Sequence, residues 1–233
     1  MSHFEGKSVA DHLRAARTKG AMAAREIHGA EMPGHLAAMA DASKDTLIAL
    51  LLVWVLAPQF LLLFACGWVV WKAGRSAALG WARLERLHRL IEEERWEIEH
   101  HRGQEREELT ELYREKGFSG KLLEEVVDVL MTDDERLLRV MLEEELGLTL
   151  EAYEHPLKQA SGAALGALFT GALLFLANQF FPLYGLPIMA FFVLIGASTL
   201  AASQERNRSM QAVIWNIALA LLATSVVYFL QKI

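Results

Sequence analysis

The sequence predicts an all-α membrane protein of five transmembrane helices, alternatively four, with a three-helix cytoplasmic module inserted before the last three spans. Three observations carry this reading. Uncharged apolar runs at 46–71, 160–181, 182–203 and 210–230 are each long enough for the ~20 residues that cross a ~30 Å hydrocarbon core. Apolar residues make up 53% of the 233, and the mean hydropathy of +0.22 exceeds that of an ordinary soluble domain. The acidic residues lie elsewhere: residues 92–154 hold 21 of the 29 acids and 8 of the 23 bases, a charge of −13 that leaves +7 for the rest of the chain. The expected divisions are an amphipathic N-terminal segment (1–33), a transmembrane hairpin (34–82) or a single span (47–71), a helical module (83–158) and a three-helix transmembrane bundle (159–233).

Residues 1–43 are polar and charged without a short apolar run ending in a small-residue cleavage site, so no signal peptide is expected and the first apolar run is a retained anchor. The Ala-rich stretch over 8–40, interrupted by Gly29 and Pro33-Gly34, reads as one helix before the break and another after it. Within it, "REIHGAEMPGH" sets Glu26, His28, Glu31 and His35 close together, like a small mixed nitrogen and oxygen metal site.

The first apolar run admits two topologies. As one span it is kinked at Pro58. As a hairpin it turns at Ala57-Pro58-Gln59, which puts Asp41, Lys44, Asp45, Lys72 and Arg75 at membrane depth, costly unless they pair. Asp45 and Lys72 lie at matching distances from Pro58, as do Asp41 and Arg75, so both couples are expected either to pair or to line an ion path. The hairpin also puts the N-terminal lysines and arginines, the module and "SQERNRS" (203–209) on one side, opposite the uncharged "FFPLYGLP", with the module cytoplasmic. The sole cysteine, Cys66, excludes a disulfide framework and a thiolate metal site, and is expected to pack as a small apolar residue.

The module reads as three helices. The first runs over 82–116 and stops at Gly117, where a left-handed residue is cheap. The second starts at the N-cap Ser119. The third opens with Thr132-x-x-Glu135 as a capping box and ends at Gly147. In the last three spans, Gly162, Gly166 and Thr170 recur every four residues beside Ala163 and Ala167, a face suited to close helix approach in lipid, within a subunit or across a dimer. Asn216 can hydrogen-bond to a neighbouring helix.

With Glu94 at 0° on a helical wheel, Glu97 falls at about 300°, Glu105 at about 20°, Glu108 at about 320° and His101 at about 340°. Leu87, Ile91, Ile98 and Leu109 flank the stripe, so it borders the packing side. Glu92, Glu93, Glu99 and Glu107 fall on solvated faces. Like charges at this spacing repel unless cations neutralise them. The ~21 Å length of the stripe implies two or more ions, each needing ligands from elsewhere. Met141 and Glu145, four apart on the third helix, are candidates; carboxylates suit hard divalent ions, and a thioether shifts the preference towards Fe²⁺ or a later transition metal. A basic nucleic-acid footprint is absent from the module, and no nucleophile–base pair, phosphate loop or closed zinc motif suggests an enzyme.

"EEERWEIEHHRGQEREELTELYREKGFSGKLLEEVVDVLMTDDERLLRVMLEEELGL" (92–148) resembles the vacuolar iron transporter family of Fe²⁺/Mn²⁺ membrane proteins, and the similarity continues weakly through "YEHPLKQASGAALGALFTGALL". Glu94, Glu97, Glu105 and Glu108 fit the family's E-x2-E-x7-E-x2-E without a gap. Met141 and Glu145 match its M-M-x-x-E-L-G-L, with Leu142 in place of the second methionine. The resemblance implies a homodimer in the lipid bilayer, five spans per chain, metal bound between subunits, and Fe²⁺ or Mn²⁺ as the transported ion with no organic cofactor. The sequence departs from the family at the start. The glycine-rich N-D-G signature of the first span is missing, leaving Asp41 or Asp45 to stand in for its aspartate. The second span offers Lys72 and Arg75 in place of a glutamate and a methionine. A membrane-anchored metal buffer, sensor or adaptor therefore stands beside transport as the alternative.

Overall fold

The computed structural model describes residues 8–15, 17, 18, 34–147 and 154–233, and the regular structure among them is entirely helical. A helical segment over 9–15 is followed by α1 (His35–Leu56), a 3-10 turn (Pro58–Phe60), α2 (Leu61–Glu115), α3 (Gly120–Met131), α4 (Asp134–Glu144), α5 (Pro156–Phe180), α6 (Gly185–Gln204) and α7 (Ser209–Leu230). These form two compact units. One combines the described N-terminal residues up to 18 with 82–147; the other combines 34–81 with 154–233, so α2 contributes to both.

The apolar unit is built around α1, which packs chiefly on α5 and α6. The small-residue face of α5 makes this possible, and the contact lies within one subunit. A Cβ on Gly162 would stand 2.1 Å from the His35 carbonyl oxygen, and one on Gly166 2.2 Å from that of Met39. Ala38 and Ala42 of α1 interlock with Ala163 and Ala167. Trp54 Nε1 donates to Asn178 Oδ1 at 3.0 Å, and Ser43 Oγ to the Gly166 carbonyl at 3.3 Å, adding polar links between α1 and α5. The opposite face of α5 exposes Leu165, Leu168, Phe169 and Leu176. Small residues inside and large apolar ones outside is the arrangement expected where lipid is the solvent. Three helices, α5, α6 and α7, are long and apolar enough to cross a membrane.

The chain breaks at Ala57 and folds back. In one continuous helix Asp45 and Lys72 would lie ~40 Å apart; here Lys72 Nζ is 2.8 Å from Asp45 Oδ2, and Trp68 Nε1 donates to Thr46 Oγ1 at 3.1 Å. The expected Asp45–Lys72 couple therefore forms, with Lys72 only 3% exposed. The expected Asp41–Arg75 couple does not form. Asp41 pairs with Lys44 one turn along its own helix at 2.7 Å, a partner that needs no interhelical register. Two further expectations are corrected. Cys66 is exposed on α2 instead of packed, and Asn216 bonds back to the Ala212 carbonyl of its own helix at 2.8 Å, which satisfies its amide without a neighbour.

Glu154 caps α1 from a distant part of the chain. Its carboxylate accepts from the His35 backbone N–H at 2.8 Å, lies 2.9 Å from His35 Nδ1, and pairs with Lys158 at 2.9 Å. Burial alone would raise this carboxyl, but the Lys158 and His35 hydrogen bonds outweigh it and hold the pKa at about 2. His35 is therefore engaged with Glu154; Glu26, His28 and Glu31, its expected partners in a mixed metal site, lie outside the described residues.

The module's helix ends follow from local chemistry. Gly117 at φ +95° closes α2: its N–H bonds to the Arg114 carbonyl and that of Phe118 to Tyr113, while the Tyr113 and Phe118 rings meet at 5.5 Å. Ser119 occupies the N-cap of α3 but makes no capping side-chain bond. The expected Thr132 capping box is replaced by Asp133, whose Oδ1 accepts from the Arg136 N–H at 2.8 Å; Thr132 instead finishes α3, donating to the Asp128 carbonyl. Gly147 lies at φ +65° just past α4.

The α1–α5 contact yields a first test. Gly162→Ala and Gly166→Ala must push backbones apart and should each cost about 1–3 kcal/mol. Gly196→Ala, whose Cβ would meet nothing within 4 Å, should be neutral or slightly stabilising. Thermal unfolding of the three variants in detergent checks the contrast.

Candidate metal site

Leu87, Ile98, Leu109, Leu112, Leu123, Val127, Leu137, Leu138, Met141 and Leu142 form the module's apolar core. Its exposed acids are matched by an arginine row on α2 that lies about 80–120° round the wheel from Glu94. Arg95 reaches Glu135, Arg102 reaches Asp134 and the Met131 carbonyl, and Arg106 reaches Asp128. These pairs clip α3 and α4 to α2. Each is worth ~0–1 kcal/mol at such exposure, so they set register more than stability.

The glutamate stripe has a different environment. Glu94, Glu105 and Glu108 are buried, Glu97 is half-buried, and Glu145 of α4 is buried opposite them. Glu92, Glu93, Glu99 and Glu107 are exposed, as the wheel predicts. Glu105 is 0% exposed, and neither of its carboxylate oxygens has a hydrogen-bond partner among the described residues. Burial pushes the Glu105 pKa up to about 8, reinforced by Glu145 and Glu97. Burial likewise pushes Glu108 up to about 10, with Glu145, Glu105, Glu94 and Glu97 adding to it. An ionised carboxylate in such a place is very costly unless a cation or a proton meets it.

α2 is not straight through this region. His101, at φ −127° and ψ +28°, leaves helical geometry two residues before Gly103, the poorest helix former nearby. Its ring turns edge-on to Trp96 at 5.4 Å, while His100 stacks on the same indole at 4.4 Å. Glu94 and Glu97, on the N-terminal side of this break, add to the raised pKa of Glu108. The expectation of a straight glutamate stripe is corrected at this point: α2 is kinked at His101, between the Glu94–Glu97 and Glu105–Glu108 pairs.

The histidine that joins the cluster is His12. Ligand atoms of His12, Glu108 and Glu145 all lie within 4.8 Å of one another, and His12 Nε2 is 3.6 Å from Glu108 Oε1. His101 lies outside this group. Met141, expected as a soft ligand, is fully buried in the apolar core one turn before Glu145. The sequence reading missed His12 because it stands apart from the other histidines in an Ala-rich segment; the available signal was its place beside Val9 and Leu13, an apolar i,i+4 pair.

A family model, the VIT family, matches residues 82–232, more than half of the chain. The chain belongs to the VIT, or vacuolar iron transporter, family. The match extends beyond the module through α5, α6 and α7, further than the sequence resemblance alone suggested, and begins within α2, leaving α1 outside it. VIT proteins are divalent-metal transporters and not enzymes. With three apolar helices of spanning length, this member is an integral membrane protein. No curated protein matches the sequence closely.

The raised carboxyls fix a pH dependence. A group whose pKa is about 4.5 unfolded and about 8 or 10 folded stabilises the fold fully below pH 4.5 and loses that contribution as pH rises through the folded values. The metal-free module should therefore lose several degrees of melting temperature between about pH 5 and 9. Glu105→Gln should flatten the slope. Saturating Mn²⁺ or Fe²⁺ should reverse its sign, because cations bind the deprotonated form. Thermal circular dichroism across pH, with and without metal, provides the check.

Proposed function

We propose that this VIT-family chain moves Fe²⁺, and Mn²⁺ as a second substrate, out of the cytoplasm or into a compartment, with the acidic module collecting the ion. The observation that carries the reading is Glu105, a carboxylate buried with both oxygens unpartnered among Glu94, Glu97, Glu108 and Glu145. A site this electronegative captures a divalent cation by neutralising several carboxylates at once, and protonation of the same groups offers a route to release.

The proposed topology has five spans. α1 and the first part of α2 form an antiparallel pair through Asp45–Lys72 and Thr46–Trp68, and precede the three apolar helices. An even-numbered hairpin returns the chain to its starting side, so the N-terminal segment, the module and the Arg206- and Arg208-bearing loop share the cytoplasm under the positive-inside bias. The groove between α2 and α5, lined by residues such as Leu62, Val69, Leu168 and Phe175, is apolar, a face that a second subunit of the proposed homodimer could cover. Met141, Glu145 and the four α2 glutamates are the proposed ligands.

A second reading has its own support. The family match begins at residue 82, and a buried Lys72 sits in the preceding hairpin, where a cation path would need negative charge. On that reading the module binds metal as a buffer or sensor and the spans conduct nothing.

Proteoliposomes containing an entrapped metal-sensitive dye separate the two. Transport predicts Fe²⁺ uptake by the wild type and about a tenfold or greater loss of rate in the Glu105→Gln, Glu108→Gln double variant. A folded wild type that binds Fe²⁺ in detergent but carries none across the bilayer establishes the buffer or sensor reading.

A further inference from the structure

We propose that His12 is a metal ligand, so that the N-terminal segment closes the module's carboxylate site with an imidazole. This inference rests on the metal-binding reading of the glutamate cluster and adds a ligand, a selectivity and a consequence for the N-terminus.

The segment is built to hold that ring in place. Ser8 caps it: its hydroxyl accepts from the Asp11 N–H at 3.2 Å and donates to Asp11 Oδ2 at 2.7 Å, while its carbonyl accepts from the His12 N–H at 3.0 Å. Leu13 is 1% exposed in the module core, and Val9, one turn earlier, packs on the same cluster. Arg17 pairs with Glu115 of α2 at 2.7 Å. Capped at one end, anchored by Val9 and Leu13 and tied by Arg17, the segment presents His12 from the flank of its buried face.

The spacing then speaks for a shared cation. His12 Nε2 and Glu108 Oε1 are 3.6 Å apart, an ion-pair distance when the ring is protonated and also a spacing that two ligands of one cation can take. Two donors bound ~2.1 Å from one ion are separated by roughly 3.0–4.2 Å in tetrahedral or octahedral geometry. With Glu145, the three ligand atoms fall within 4.8 Å, close enough to converge on an ion by small side-chain rotations. Beside them Glu105 buries two carboxylate oxygens that no described residue satisfies, an independent mark of a site for a proton or a cation.

An imidazole changes which ion the site prefers. All-oxygen sites suit Mg²⁺ and Ca²⁺, whereas neutral imidazole favours Fe²⁺, Co²⁺ and Zn²⁺. His12 therefore biases the cluster towards transition metals in a chain whose position 142 holds leucine. The ligand also lies more than ninety residues before Glu108 and Glu145, so occupancy ties the N-terminal segment to the module.

The test uses the full-length protein in detergent under anaerobic conditions. Mn²⁺ electron spin-echo modulation should reveal imidazole ¹⁴N on the wild-type ion. His12→Ala should abolish it and weaken Co²⁺ and Fe²⁺ about tenfold or more, while changing weak Ca²⁺ binding little. An unchanged far-ultraviolet circular dichroism spectrum and retained Ca²⁺ binding in His12→Ala separate loss of the ligand from loss of the fold. No ¹⁴N signal in the wild type, or an undiminished signal and affinity in His12→Ala, overturns the ligand assignment. The underlying site reading fails separately, if Glu105→Gln with Glu108→Gln leaves metal affinity unchanged.

Discussion

Carboxylates taken out of water beside one another impose the constraint on which the module is organised. Glu105 and Glu108 lie buried within the field of Glu145, Glu97 and Glu94, and each carboxyl resists ionisation because both desolvation and neighbouring charge oppose it. Such a cluster has two low-energy states, protonated or cation-bound. The surrounding structure contributes to this: Met141 and Leu142 of the apolar core lie on the α4 turn that carries Glu145 to the buried side.

The arrangement works because charge is sorted by face. Arg95, Arg102 and Arg106 all point to exposed acids on α3 and α4, where ion pairs cost little and set register. None of these three is spent on the buried stripe. The module's charge of −13 is thus divided between exposed acids, some paired with these arginines, and a buried glutamate cluster. Had the arginines fallen on the glutamate face, the same composition would give a stable helical bundle with nothing to bind.

The apolar unit obeys a different rule. α1 and α5 meet through backbone approach at Gly162 and Gly166 and through the Trp54–Asn178 bond, and the close approach suits a helix such as α5 that is apolar enough to lie in lipid. The same unit carries the Asp45–Lys72 pair, which neutralises a lysine that would be costly alone. Asp41 solves the problem locally with Lys44, leaving the Asp45–Lys72 bridge as the interhelical ion pair between α1 and α2.

The sequence by itself determined the helical class, the apolar runs, the small-residue face of α5, the stop at Gly117 and the separation of inward from outward glutamates. All of these follow from chemistry within a few turns of one helix: period, residue size and backbone freedom. What only the tertiary structure decided involves partners distant along the chain. Asp45 and Asp41 look equivalent until the hairpin register assigns one to Lys72 and the other to Lys44. Asp133 displaces Thr132 as a cap because α3 keeps the threonine for its own last turn. Cys66 points outward because the packed face of α2 falls on Leu61 and Ala65. Met141 and Glu145 were legible as one face of α4, yet the neighbour of Glu145 is His12, and no periodicity links residues so far apart. A helical wheel reports which side chains share a face; which faces meet is settled by packing, and that is where the histidine of the site came from.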